Sequence, residues 1–393
     1  MPDIASNWQV KSLGEVAEFI STGKTPSTTI DEYFGGYIQW FTPSDIGGTK
    51  YLEWSDRTLT QKAISERKAI LFPKDTLLIT CIGNIGRVGI LKKSSSSNQQ
   101  ITGIKFNEVV DVNYAYFWFK KNDYKLISKA HQAVVPILNN AQLKEIRIGY
   151  PPLPIQKQIA EILEQADKAK QKRKEANKLT DEFLQSVFIE MFGDPVKNPK
   201  RWETKNIVEI SKVSTGGTPS RENPEYFIGN IPWVKTTEVN NNRIFDTEEK
   251  ITDKALNESN CSIFPKDTVL IALYGQGLTR GRASILEINA CTNQACAAIL
   301  PSKNINSIFL WQQLLHFYYH LRSLSRGGNQ PNLNLSFIKN LNIILPSLSL
   351  QQQFAEIVNK TEALKEKQKQ SEQELENLFQ SLMQKAFKGE LVH

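Results

Sequence analysis

The chain has 393 residues, room for two or three domains of ordinary size, and its 40% hydrophobic and 23% charged residues exclude global disorder. Lys and Arg number 48 against 41 Asp and Glu, a net charge of +7 that suits a polyanionic partner without demanding one. The four cysteines form no CxxC pair, Met1 to Val10 lacks a signal-peptide pattern, and no apolar run approaches the roughly 18 residues of a membrane span, so a reduced, cytoplasmic, membrane-free chain is expected.

Read in chain order, the sequence is written twice. Ser21 to Ser27 (STGKTPS) returns as Ser214 to Ser220 (STGGTPS), followed in each copy by Tyr-Phe (Tyr33-Phe34, Tyr226-Phe227) and a tryptophan (Trp40, Trp233). Phe72 to Thr76 returns as Phe264 to Thr268, Gly86-Arg87 as Gly281-Arg282, and Asn98-Gln99 as Asn293-Gln294. Pro151 to Glu161 (PPLPIQKQIAE) returns as Pro346 to Glu356 (PSLSLQQQFAE), and the offset stays between 192 and 195 residues throughout. A period this long means a repeated domain with an appendage, not a solenoid.

Within the first copy, Thr76 to Cys81 reads as a buried strand and Asn113 to Lys121 as an aromatic-rich helix. From Ile155 to Phe192 there is neither Gly nor Pro, and Ile155, Ile159, Ile162, Ala166, Ala169, Arg173 and Ala176 step by four and three. The second copy repeats the plan: a strand over Thr268 to Leu273, a helix over Asn306 to Tyr319, then Leu350, Phe354, Ile357, Thr361, Leu364, Gln368, Ser371, Leu375, Leu378 and Leu382 at the same spacing. Such a heptad stripe predicts a coiled-coil seam with a polar middle. The expected fold class is α+β: two similar globular domains (1–153 and 194–348), each followed by a long helix (154–193 and 349–393). Residues 155–192 are charge-balanced and 350–390 carry −1, so the basic excess belongs to the globular parts.

The catalytic patterns fail one by one. Gly23-Lys24-Thr25 imitates the end of a P-loop, but Glu18 stands where its first glycine belongs, and the second copy has Gly217 for the lysine. Asp45, Glu66 and Lys68 sketch a nuclease site that the second copy does not keep, with Asn260 in the lysine's place. His316 and His320 lie one helical turn apart in an apolar stretch, and Cys291 and Cys296 have no second pair, so neither argues for a metal. No methyltransferase tetrapeptide is present, and a non-catalytic chain is expected.

The positive signal is polar loops on a shared framework, among them Ser94 to Gln100 (SSSSNQQ) and Asn240 to Arg243 (NNNR). Amides and arginines pair with base edges, and hydroxyls and lysines hold phosphates. Candidate DNA contacts in the first copy are Lys24, Thr25, Ser44, Asn84, Arg87, Gln99 and Gln132. In the second they are Arg221, Lys235, Thr237, Gln276, Arg280, Arg282, Arg326, Asn329 and Gln330. The framework positions agree between the copies and the loops differ, which suits two heads reading two sequences.

The two Thr-Gly-x-Thr-Pro-Ser segments, the Tyr-Phe and Trp that follow, and the two proline-led helix starts together resemble a type I restriction-modification DNA specificity subunit, over nearly the whole chain. The resemblance implies two target-recognition domains whose long helices pair as an antiparallel coiled coil. It implies a bipartite, asymmetric double-stranded DNA target. It also implies two methyltransferase subunits and restriction/motor subunits as partners, with no cofactor here: adenosylmethionine, ATP and magnesium would sit on those partners. Ile155, Ile159, Phe183, Leu350, Phe354 and Leu382 are the expected partner-docking positions on the helices. Two other classes remain open: an adaptor with no salt-dependent DNA affinity, and an enzyme that acts on DNA without partners.

Overall fold

Runs of aliphatic residues with no alternation need burial on both faces, and they form the central strands. Leu77–Thr80 and Val269–Ala272 are enclosed at every residue. The structure is a computed structural model that describes residues 8–129, 136–275, 278–324 and 333–392. It contains two compact units, residues 1–174 with 371–393 (unit 1) and residues 175–370 (unit 2).

The strands of unit 1 are β1 (Gln9–Ser12), β2 (Ala17–Thr22), β3 (Phe34–Phe41), β4 (Tyr51–Leu52), β5 (Thr58–Leu59), β6 (Leu77–Thr80), β7 (Val88–Leu91), β8 (Ser96–Ser97), β9 (Ile101–Phe106) and β10 (Arg147–Tyr150). Those of unit 2 are β11 (Thr204–Asn206), β12 (Val213–Thr215), β13 (Ile231–Val234), β14 (Arg243–Ile244), β15 (Glu249–Ile251), β16 (Val269–Ala272), β17 (Ala283–Leu286), β18 (Cys291–Thr292), β19 (Cys296–Ile299) and β20 (Asn342–Ile344). The sheet orders are β2-β9-β6-β7-β4, β5-β3-β8 and β1-β10 in unit 1, and unit 2 repeats all three with each label raised by ten. The duplication read in the sequence is therefore a duplication of topology, and the fold class is α+β.

The aromatic helices are capped alike. Asp111 accepts from the amides of Asn113 and Tyr114, and Asn306 from those of Ile308 and Phe309, which satisfies donors the first turn leaves orphaned. The second helix is shorter than expected: Ser307–His316 ends at Phe317, and a separate helix begins at Tyr318.

The repeated proline-led segments have a physical reason that lies in one glutamine. Gln156 and Gln351 are fully enclosed, and each donates to the carbonyl of the proline five residues earlier, Pro151 or Pro346, at 2.8 Å. Each also accepts, at 2.9 Å, from the amide of the aromatic helix's capping region, Asp111 or Asn306. The glutamine thus fixes where each long helix leaves its globular part.

The long helices are Leu153–Phe192 and Leu348–Lys388. In unit 1, Lys170 pairs with Glu376 at 2.7 Å, and Phe379 and Met383 join the core that holds Ile159 and Leu163. In unit 2, Lys365 pairs with Asp181 at 3.0 Å, Gln368 donates to Thr180 at 3.0 Å, and Phe188 packs on Phe354. Within each unit the contacts climb one helix while they descend the other, so the two helix segments of each unit pair antiparallel. The register differs from the sequence stripe at Leu364 and Leu378, which are about half exposed, while Phe379 and Met383 are buried. Each helix also packs on a globular part, so the enclosed stripe is broader than a two-helix seam and drifts from a strict heptad.

Candidate nucleic-acid interface

In unit 1 a shallow cleft is lined by Thr25, Trp40, Thr42, Pro43, Ser44, Arg57, Ile82, Gly83, Asn84, Asn98, Gln99 and Gln100. Its first wall is the Thr-Gly-x-Thr-Pro segment. Gly23 donates to the Ile101 carbonyl at 2.9 Å and Lys24 to that of Ser97 at 3.0 Å, so this stretch lies against the chain around β8. Only glycine tolerates that approach, because a Cβ at Gly23 would stand 2.4 Å from the Ser97 carbonyl oxygen. Gly216 is tighter, with the Thr292 carbonyl oxygen 1.7 Å from the same point. We expect Gly216→Ala to force the segment off β18 and to cost about 1–3 kcal/mol. A thermal melt of the variant checks this, and an unchanged midpoint would contradict it.

The tryptophan that follows the segment holds it from the other side. The Trp40 indole donates to the Lys24 carbonyl at 3.1 Å, and the Trp233 indole to that of Gly217 at 3.0 Å. With the segment pinned, Thr25 meets Gln99 through their side-chain oxygens, and Thr218 meets Gln294 in the same way. Both partners remain exposed in both units.

A short turn forms the next wall. Thr42 donates to Asp45 from both its amide and its hydroxyl at 2.7 Å, and its hydroxyl also contacts Ser44 at 2.7 Å. The equivalent turn of unit 2 is closed by the Lys235 amide donating to Glu238 at 2.7 Å. Ser44 and Thr237 sit at the same place on these turns, both exposed. The turn between β6 and β7 supplies Asn84, shaped by Gly83 and Gly86 at φ +77° and +93°. Arg87 reaches the Pro43 carbonyl at 3.4 Å, which brings its exposed guanidinium to the cleft's edge.

The family model of the type I restriction modification DNA specificity domain matches residues 5–180 and again residues 199–377. The chain belongs to this family. It is 28% identical to the type I restriction enzyme MjaIX specificity subunit of Methanocaldococcus jannaschii, over 90% of this chain and 87% of that one. It is 24% identical to the EcoR124I/EcoR124II specificity subunit of Escherichia coli, over 70% and 68%. Among solved structures, the type I restriction-modification S subunit from M. genitalium has the same fold, with a TM-score of 0.63 at 17% identity over 98% of this chain and 97% of that one. As a member of this family the chain is a non-catalytic, DNA-binding specificity subunit that serves target recognition.

The structure sorts the expected contact residues of this specificity subunit. Thr25, Ser44, Asn84 and Gln99 share one cleft, with Lys24 and Arg87 beside it. In unit 2, Arg221 bonds Glu249 at 2.7 Å, Lys235 bonds Glu248 at 2.5 Å, and Arg282 donates to Asn240. Arg280 is half-buried, its carbonyl accepting from Arg322 at 3.1 Å. Gln132, Gln276, Arg326, Asn329 and Gln330 lie outside the described residues. The Ser94 to Gln100 stretch is less of a loop than its composition suggests. Ser95, Ser96, Ser97 and Asn98 are buried, Ser96 and Ser97 as β8 beside β3, which leaves Ser94 and Gln99 as its exposed members. Arg243 also turns inward, to Glu287 and Asn359.

The rejected constellations have structural employment. Asp45 closes the turn just described, and Glu66 accepts from the Tyr33 hydroxyl at 2.7 Å. His316 stacks on Phe188 at 4.3 Å. All four cysteines are free and buried, and burial pushes the Cys291 thiol up to about 12. Among the described residues no three His, Cys, Asp or Glu side chains gather where a metal would bind.

On the helices two expected docking positions need correction. Ile159 and Phe354 are buried within the cores of units 1 and 2, so each is consumed by the chain's own packing. Ile155, Leu350 and Leu382 are partly buried against the same cores, and Phe183 is half exposed. Arg57 was not among the expected residues, yet it lines the cleft. Its guanidinium stands 4.6 Å from the Phe34 ring and 5.1 Å from that of Trp40. It falls between the segments that match from copy to copy, and comparing the positions in between would have exposed it, because Glu249 is its counterpart.

Proposed function

We propose that each unit reads one half of a split, asymmetric double-stranded DNA target through its cleft, while the long helices dock two methyltransferase subunits, joined by restriction/motor subunits in the full complex. The observation that carries this is a shared frame with unlike lining. The Thr-Gln pair is the same in both units (Thr25 with Gln99, Thr218 with Gln294), whereas Thr42 and Arg57 of unit 1 correspond to Lys235 and Glu249 of unit 2. Two copies of one reader with different contact chemistry suit an asymmetric target. In this reading the subunit works in the cytoplasm, where its DNA is. No described helix is long and apolar enough to cross a membrane. Adenosylmethionine, ATP and magnesium belong to the partner subunits.

Salt dependence tests the DNA reading against an adaptor role. The chain purified with its methyltransferase partner should bind duplex DNA with log K falling linearly in log[salt], by about 0.9 for each phosphate neutralised. Affinity that is absent, or flat across the salt series, would count against the proposal.

A further inference from the structure

In both units an arginine lies over the same pair of rings, but it arrives from a different place in the chain. Phe34 and Trp40 meet edge to face at 6.0 Å and 74°, and Phe227 and Trp233 do so at 5.8 Å and 74°. Over the first pair lies Arg57, which immediately precedes β5. Over the second lies Arg221, from the loop after the Thr-Gly-x-Thr-Pro-Ser segment, at 4.1 and 5.1 Å.

The backbone makes Arg57 and Glu249 equivalent. Ser55 donates its hydroxyl to the Arg57 carbonyl at 2.6 Å, and Thr247 to that of Glu249 at 2.6 Å. The same two hydroxyls accept from the amides of Trp40 and Trp233 at 3.0 and 3.2 Å. One position of the frame therefore carries a cation in unit 1 and an anion in unit 2.

Their surroundings differ to match. Glu249 is held by Arg221 at 2.7 Å and Lys235 at 3.4 Å, and that carboxylate is kept below its ordinary range first by the Arg221 hydrogen bond. Arg57 is exposed at the cleft and, among the described residues, forms no ion pair. Its ring stack holds the guanidinium plane in place and leaves its N–H edge for a ligand.

We propose that this position sets one base of one half-site: Arg57 reads a guanine in the half-site of unit 1, whereas the ion-paired carboxylate of Glu249 cannot do so at the matching place in unit 2. A guanidinium fork matches the O6 and N7 acceptors of guanine, whereas a carboxylate meets those acceptors with like charge and accepts instead from the amino group of cytosine. The inference rests on the cleft-per-half-site reading.

The test is a methylation map of cells carrying the full complex with Arg57→Gln, Arg57→Lys or the unaltered chain. The unaltered map separates the two claims, because absence of any split motif there defeats the parent reading and leaves nothing for Arg57 to specify. With a split motif present, both variants should relax one guanine of one half-site, by about tenfold or more in preference, and leave the other half unchanged. Arg57→Lys keeps the charge and loses the fork, so its relaxation shows base reading. An unaltered motif with only weaker methylation in Arg57→Gln, restored by Arg57→Lys, would make Arg57 a phosphate contact and overturn the proposal. Relaxation spread over both half-sites would overturn it as well. In vitro methylation by the purified complex, on duplexes that differ only at that base pair, supplies the same comparison if the variants accumulate poorly in cells.

Discussion

Replacing Phe188 by alanine is expected to destabilise unit 2 by about 3–5 kcal/mol. Phe188 is fully buried where the first long helix meets the second and the aromatic helix Ser307–His316. Phe192, Phe309 and Phe354 surround it at 5.1, 5.9 and 5.4 Å, and His316 stacks on it at 4.3 Å. Rings that hold one another on three helices do not close easily over a void, so the upper part of that range applies. Urea unfolding followed by near-ultraviolet circular dichroism measures it, and a loss under 1 kcal/mol would show that this cluster does not hold the helix pair to the globular part.

The second large effect concerns a charge pair that ties unit 1 to its helix. Lys50 and Glu164 meet at 2.5 Å with side-chain exposures of 7% and 21%, and the ammonium lies 4.9, 5.7 and 5.0 Å from the Tyr51, Tyr116 and Phe117 rings. Burial pushes the Lys50 ammonium below its ordinary value even with the carboxylate beside it. Glu164→Leu leaves that charge enclosed without its partner, a change that costs about 3–5 kcal/mol in fully buried pairs and is expected to cost about 2–4 here, because Glu164 is partly solvated. Adding Lys50→Met should recover most of the loss, since an apolar pair needs no partner charge.

The same pair predicts a pH dependence. Burial opposes the Glu164 charge, but hydrogen bonds from Lys168 and Lys50 outweigh it and hold the carboxyl below its ordinary 4.5. Its stabilisation is then complete above the unfolded value and is lost as pH falls through the folded one. The gap between the unaltered chain and Glu164→Leu should therefore narrow below pH 4.5, and a gap that widens there would contradict the assignment.

Much of this molecule is legible in its sequence because it is written twice. The strand runs, the caps and the helix starts recur together, so chance agreement at one place is checked at another. The parts that misread are those where composition and environment disagree. The serines of Ser94 to Gln100 look like an open loop, yet three are buried within a strand and its flank. Leu364 and Leu378 look like seam residues, yet a helix packed on both a partner helix and a globular part chooses a broader face. Arg57 belongs to no motif and lies between the segments that match from copy to copy, so only its place over the Phe34 and Trp40 rings brings it to the cleft.

In the function proposed above, this subunit directs its partners to one split DNA target. A genome-wide map of methylated adenine in cells that express an active partner methyltransferase, with and without this chain, decides whether it does. One motif, two short half-sites around a fixed gap, should be methylated only when the chain is present. A map that does not change with the chain would contradict it.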